Sequence, residues 1–175
     1  MLSFTDVGAS PSSRDPRRTA VHSLLATETN AIFDARLAPA TTLPSSEVAE
    51  SATSNGARQL RIISRDFPWT LEVSNRKQSV ITCADVFSAI YVGLSVPLTA
   101  SEWTLADDTK KSSMIRANRN RRGGSVSLGR LRRIDWLGSR VYFKGLTKDD
   151  ELGRERLLPE DELWPDTWVI KFGSH

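Results

Sequence analysis

The sequence predicts an α+β domain in which two or three helices pack on one face of an antiparallel sheet. Three observations carry this prediction. Apolar residues alternate with polar ones near both ends of the body, two capped helix starts lie between them, and Gly138-Ser139 suits a two-residue turn. Strands that cluster on either side of a helical block favour this architecture. The 175 residues suffice for one such domain with additional tails.

The ordered body is predicted to occupy residues 58–175, after three segments of different composition. Residues 1–20 are rich in Ser, Pro and Arg and lack periodicity, so they predict a disordered N-terminal tail. The few apolar residues of 21–39 predict an extended arm that packs on the domain. The Ser, Thr and Ala of 40–57 have little to bury and predict a flexible loop.

Strands are predicted from apolar residues that recur at every second position. Asp66 and Pro68 interrupt the first such region as a turn or bulge. The last strand is predicted over Thr167–Gly173. The alternating apolar residues are Leu60 and Ile62, then Trp69, Leu71 and Val73, and finally Trp168, Ile170 and Phe172.

Two helix starts repeat one capping pattern. Thr82 with Asp85, and Thr99 with Glu102, place a hydroxyl and an acid three residues apart, which is the spacing of a capping box. The second start is expected to stop early and to restart through residues 110–122. The first helix has an apolar stripe at helical spacing, formed by Val86, Phe87, Ile90 and Leu94.

A hairpin is predicted around Gly138, because glycine in the first position of a two-residue turn is what a type II′ turn requires. If Leu137 pairs with Arg140, the flanking side chains alternate between an apolar and a polar face. The apolar face would hold Ile134, Trp136, Val141 and Phe143, and the polar face Arg133, Asp135, Tyr142 and Lys144.

The composition excludes several classes of protein. Cys83 is the only cysteine, so an intrachain disulfide and a thiolate metal cluster are excluded. No apolar run reaches the roughly 18 residues of a membrane helix. Asp6 interrupts the segment in which a signal peptide would be apolar. We therefore expect an intracellular protein, cytoplasmic or nuclear, without a membrane partner.

Six short motifs lie along the chain: HSLLA, FDARLAP, PWTLEV, ITCADV, LTASEW and RRIDWLG. Together they resemble a domain family of unknown function that is common in mushroom-forming fungi. The resemblance runs over residues 22–146, with 40–57 excepted, and its most specific motifs are ITCADV and RRIDWLG. It implies a fungal origin and a compact α+β domain. Because no activity, cofactor or catalytic residue is established for that family, the resemblance implies no mechanism.

Residues with catalytic or cofactor-binding potential are sparse. His22 is the one internal histidine, and no Gly-x-Ser-x-Gly elbow is present, so we predict no catalytic residue. Cys83 follows a helix cap, where a thiolate can be stabilised, but a small buried residue is the more frequent role. Adjacent acids lack the spacing of a calcium loop, and the glycines follow a helix rather than a strand. Neither a metal nor a cofactor is therefore predicted.

A candidate ligand face is formed by Asp135, Tyr142 and Arg133 on the polar side of the hairpin. If this face is open, the three groups could bind a ligand. If it is covered, they are cross-strand pairs that contribute about 0.2–1 kcal/mol each. Cross-strand pairing is the ordinary use of such residues, and we favour it.

The segment 110–133 contains nine basic residues and no acid, which predicts a candidate patch for anions or nucleic acid. It contains no aromatic residue on which bases could stack. Two structural alternatives stay open: a solvated helix face, or docking on the segment 148–166, which has eight acids against three bases. The candidate patch consists of Arg116, Arg119, Arg121, Arg122, Arg130, Arg132 and Arg133.

The sequence favours a non-enzymatic intracellular domain that binds protein or peptide through a sheet edge or an exposed groove. A deep pocket onto which Asp135 and Tyr142 converge would count against this function. Weak nucleic-acid binding through the basic segment is the alternative. The third hypothesis is an enzyme whose site uses Asp135, Arg133 or Cys83.

Overall fold

The computed structural model of the protein describes residues 19–27, 29, 32–75, 79–123, 131–156 and 166–175. Most of the predicted N-terminal tail lies outside these residues. The described strands are β1 (Gln59–Ile63), β2 (Leu71–Ser74), β3 (Tyr142–Thr147) and β4 (Thr167–Gly173). The described α-helices are α1 (Ser45–Val48), α2 (Cys83–Ser95), α3 (Ala100–Leu105), α4 (Asp108–Arg122) and α5 (Asp150–Glu155). Short 3-10 helices are Ser23–Leu25, Pro39–Thr41 and Arg133–Leu137.

The strands form one sheet in the order β2-β1-β4-β3, which confirms the α+β class but corrects the predicted antiparallel pairing. β1 pairs antiparallel with β2, and β3 with β4, whereas the two central strands, β1 and β4, run parallel. Parallel pairing needs a long crossover, and the helices between β1 and β4 provide it. Side-chain alternation predicts which face of a strand is buried, but not the direction of its partner.

The core lies between the sheet and α2. The four stripe residues of α2 are fully buried, as predicted. Phe87 meets Phe33 of the arm at 4.9 Å between ring centroids and Phe143 of β3 at 5.3 Å, both edge to face. Such aromatic pairs contribute beyond the apolar area that they bury.

Both predicted capping boxes form. The Thr82 hydroxyl accepts a hydrogen bond from the Asp85 amide at 3.2 Å, and Asp85 accepts one from the Thr82 amide at 2.8 Å. Thr99 and Glu102 make the same pair of bonds at 3.2 and 2.9 Å. The caps satisfy backbone N–H groups that a helix start leaves without partners.

A small second cluster lies on the other face of the sheet, where Leu152 of α5 packs on Ile63 and Val169. The helix begins at a cap, since the Asp149 side chain accepts a hydrogen bond from the Leu152 amide at 3.0 Å. The sequence analysis predicted no helix in this acidic segment. Ile63 and Val169, which are buried strand residues, hold this short helix on the second face of the sheet through Leu152.

The prediction of a strand before Gly138 is wrong, although the predicted turn at Gly138 forms. Gly138 has φ 64° and ψ −117°, and the Arg140 amide donates to the Leu137 carbonyl at 3.1 Å, as in a type II′ turn. Residues Arg133–Leu137 form a 3-10 helix because the Asp135 carboxylate accepts from the Arg132 amide at 2.8 Å and closes the chain into a turn. The four residues of the predicted apolar face nevertheless share the main core.

The arm covers the outer edge of β3. The Ala35 amide donates to the Val141 carbonyl at 3.0 Å, and the Phe143 amide donates to the Phe33 carbonyl at 2.9 Å. Residues 40–57, assigned to a loop from the sequence, carry α1 and a buried Ala52 whose amide donates to the Ile81 carbonyl at 2.8 Å.

We expect Gly145→Ala to destabilise the protein more than Gly123→Ala. Both glycines have positive φ, 105° and 67°, where an alanine is strained. A Cβ at position 145 would also overlap the backbone of Ala26 and Thr27 in the arm, whereas nothing lies within 4 Å of one at position 123. The strain costs about 1–3 kcal/mol at each site. Chemical denaturation measures the difference, and equal losses would contradict the docking of the arm on β3.

Candidate functional site

A half-open cleft of about 400 Å³ lies between α4, the Gly138 turn, the start of β3 and the arm. Its polar lining includes three arginines, of which one comes from the arm and two from α4. We call this site the arginine cleft and define it by Arg36, Arg116, Arg121, Tyr142 and His175.

Asp135 lines the cleft and holds Arg121 in place. Its side chain is 2% exposed and accepts from Arg121 Nε at 3.0 Å and from Nη2 at 2.8 Å. It also accepts from Asn118 Nδ2 at 3.1 Å and from the Arg132 amide at 2.8 Å. A carboxylate with four donors has little capacity left to bind a ligand or to act as a base. Asp135 therefore positions α4 and Arg121.

Arg36 is fixed in a similar way by Asp34. Arg36 Nε donates to the two oxygens of Asp34 at 2.9 and 3.0 Å, and Nη2 donates as well. Burial alone would raise the pKa of Asp34, but the hydrogen bonds from Arg36 bring that pKa below its usual value. Both paired guanidinium groups bond their carboxylates through Nε and Nη2, so Nη1 remains outside each pair.

Arg116 differs from the other two arginines of the cleft. It is exposed on α4 and forms no ion pair with any residue in the described part of the chain. The charges of Arg36 and Arg121 are balanced by their carboxylate partners. The excess positive charge of the cleft therefore falls on Arg116.

Two of the three residues of the predicted ligand face meet in the cleft. Asp135 and Tyr142 line it, whereas Arg133 points elsewhere because the 3-10 helix replaces the predicted strand. Arg133 Nε donates to Glu102 Oε1 at 2.8 Å, and its guanidinium lies 4.9 Å from the ring centroid of Trp69. Burial alone would raise the pKa of Glu102, but bonds from Thr99 and Arg133 lower it.

The described members of the candidate basic patch differ in their surroundings. Among them, Arg121 and Arg133 are engaged in the ion pairs described above, and Arg116 and Arg121 line the cleft. Arg130 lies outside the described residues. The remaining members are exposed: Arg119, Arg122 and Arg132.

The acids that the structure describes in 148–166 include two with partners away from α4. Asp149 accepts from Arg65 Nη2 at 2.9 Å, and Asp166 accepts from Asn55 Nδ2 at 3.3 Å. These contacts give no support to internal docking of the basic segment on the acidic one.

The cysteine and the internal histidine considered in the sequence analysis have structural roles. Cys83 is fully buried, and burial, with a smaller effect of Glu50, raises the pKa of its thiol to about 11. The thiol is therefore protonated at neutral pH. His22 Nδ1 accepts from the Leu24 amide at 3.2 Å, and its Nε2 lies 2.9 Å from Glu50. This histidine caps a 3-10 helix of the arm.

Two further observations concern metals and membranes. Among the described residues, no three His, Cys, Asp or Glu side chains lie close enough together to hold a metal ion. Every helix that the structure describes is too short or too polar to span a bilayer.

We expect the Cys83 thiol to resist aromatic disulfide reagents in the folded protein at pH 8 and to react once the chain is unfolded. The physical reason is that a buried, protonated thiol is a poor nucleophile. Release of thionitrobenzoate with and without denaturant measures this. Rapid reaction in native buffer would contradict the burial of Cys83.

We expect Asp135→Asn to lower the free energy of unfolding by about 3 kcal/mol, since it leaves the Arg121 charge half-buried without a carboxylate. This loss lies at the low end of the range for breaking a buried ion pair, because the Arg121 side chain is still 19% exposed. Arg119→Ala, an exposed change on the same helix, should stay within about 0.5 kcal/mol. Urea denaturation compares the two variants, and similar losses would contradict the positioning role of Asp135.

Comparisons with known proteins identify a family. Neither the curated proteins nor the solved structures include a match to this chain. A family of unknown function, DUF6699, matches residues 28–155. This range contains all five described α-helices, the strands β1 to β3, and every defining residue of the arginine cleft except His175. The chain belongs to the DUF6699 family of unknown function.

Proposed function

We propose that this chain is a non-enzymatic intracellular domain that binds a segment of another protein by seating an anionic side chain in the arginine cleft. The carrying observation is Arg116, which is exposed and unpaired within the described residues, beside two guanidinium groups held by carboxylates. Guanidinium N–H groups match the oxygens of carboxylate and phosphate groups in pairs. Ordering Arg36 and Arg121 before binding lowers the entropic cost of binding.

The arginine cleft is a better binding surface than a sheet edge. Strand addition requires a row of free backbone groups. The arm occupies the outer edge of β3 through backbone hydrogen bonds, and β2 at the opposite edge has only four residues. A binding mode through side chains in the cleft is therefore favoured.

The chemistry of the cleft supports binding rather than catalysis. Its volume falls within the range of ligand sites, about 300–1,000 Å³. Although Asp135 and Tyr142 both line it, the cleft is open to the surface and Asp135 is occupied by its four donors. Cys83, the third candidate of the enzyme hypothesis, is buried in the core. A reduced cysteine also fits an intracellular location.

Weak nucleic-acid binding is the second candidate, favoured by the exposure of Arg119, Arg122 and Arg132 close in sequence to Arg116. The two functions use these residues differently. Phosphate binding along α4 would depend on Arg116 and Arg119 to a similar degree, because backbone phosphates are neutralised additively. Binding in the cleft depends on Arg116 and not on Arg119, because Arg119 lies outside the cleft.

We expect Arg116→Ala to weaken binding of an anionic peptide pool about tenfold, the loss expected for a charge-assisted hydrogen bond. Arg119→Ala, the matched control one turn along the helix and outside the cleft, should stay within about twofold. The probes are fluorescein-labelled degenerate peptides with a central Glu, phosphoserine or Lys, and a single-stranded thymidine oligonucleotide. Fluorescence anisotropy measures their dissociation constants at two salt concentrations.

Two outcomes would overturn the peptide proposal. One is an absence of preference for the Glu and phosphoserine pools over the Lys pool. The other is tighter binding of the oligonucleotide with a steep salt dependence and equal losses in the two variants, which would assign nucleic-acid binding instead.

A further inference from the structure

We infer that the site contains a second subsite, so that the bound segment carries a bulky apolar side chain near its anionic one. This inference rests on the proposed function. A second cavity of about 280 Å³ shares Tyr142 and His175 with the arginine cleft. We call it the apolar pocket and define it by Ile32, Phe33, Phe143, Tyr142 and His175.

The shared wall makes the two cavities neighbours. The rings of Tyr142 and His175 meet edge to face with their centroids 4.9 Å apart. Tyr142 is half-buried at the start of β3, so its position is set by the sheet. The same two rings therefore line both cavities.

The lining of the pocket suits an apolar side chain. Phe33 and Phe143 are buried in the core, whereas Ile32 beside them is 67% exposed. Single exposed apolar residues are common and need no explanation by themselves. Ile32, however, lies in the lining of a cavity, where a bound apolar group would cover it. The exposed Lys144 also lines the pocket and adds positive charge, which favours an acidic segment.

The occupant to which these features point is an extended acidic segment of a protein. An extended chain places every second side chain on the same face, about 7 Å apart. Two cavities with one wall in common suit two such neighbouring side chains. We therefore expect an Asp, Glu or phosphorylated residue with a bulky apolar residue two positions away.

The test is selection from a peptide library in which a central Glu is fixed and all other positions are degenerate, followed by sequencing of the bound peptides. We expect enrichment of Leu, Ile, Met or Phe two positions from the Glu. Ile32→Ser should remove this enrichment while Glu-dependent binding persists. Arg116→Ala should weaken the binding of all peptides. Leu105→Ser is the matched control, because Leu105 is 69% exposed and lines neither cavity.

The outcomes separate this inference from the proposed function. Glu-dependent binding without apolar enrichment at a fixed position overturns the second subsite and leaves the proposed function intact. Equal effects of Ile32→Ser and Leu105→Ser also overturn it. If the anisotropy experiment shows no preference for the Glu pool over the Lys pool, both the second subsite and the proposed function are overturned. Thermal unfolding of each variant checks that the exposed substitutions leave the fold unchanged.

Discussion

The carboxylate of Asp135 accepts four hydrogen bonds, and the position of α4 beside the 3-10 helix follows from them. Two donors belong to the Arg121 guanidinium, and the others are the Asn118 amide group and the Arg132 backbone. Arg132 lies just before the 3-10 helix, whereas Asn118 and Arg121 lie on α4. A buried charge is tolerated only when such partners surround it. The same constraint that satisfies this carboxylate therefore places Arg121 at the wall of the cleft.

The 3-10 helix distributes its side chains to three neighbours. Arg133 reaches Glu102 of α3 and lies over Trp69, while Asp135 reaches α4. Trp136 packs in the core, and its Nε1 donates to the Asp66 carbonyl at 2.9 Å. A regular strand would have sent successive side chains to only two faces. The helical turn is what lets one short segment join α3, α4 and the loop before β2.

The elements that sequence predicts well are those set by local interactions. The capping boxes at Thr82 and Thr99 and the type II′ turn at Gly138 depend on residues within three positions of each other. The parallel pairing of β1 with β4 depends on partners more than a hundred residues apart, such as Ile62 and Trp168, and no local pattern encodes it. Alternation before Gly138 mimicked a strand because the 3-10 turn also buries Ile134 and Trp136. The local signal for a capped turn is Asp135, an acid that stands between two apolar residues.

The arginine cleft cannot be predicted from the basic segment alone. The candidate patch was predicted from the number of basic residues in the segment 110–133. In the folded chain, ion pairs with Asp135 and Glu102 balance two of these positive charges. The cleft also recruits Arg36, which lies far away in sequence and was absent from the candidate patch. Within the cleft, Arg116 differs from Arg36 and Arg121 because no acid among the described residues balances its charge, which only the folded chain reveals. With a formal net charge of +3, general attraction of anions is weak. In the proposed function, selectivity would come from the geometry of the cleft, whose lining combines two guanidinium groups held by carboxylates with that of Arg116.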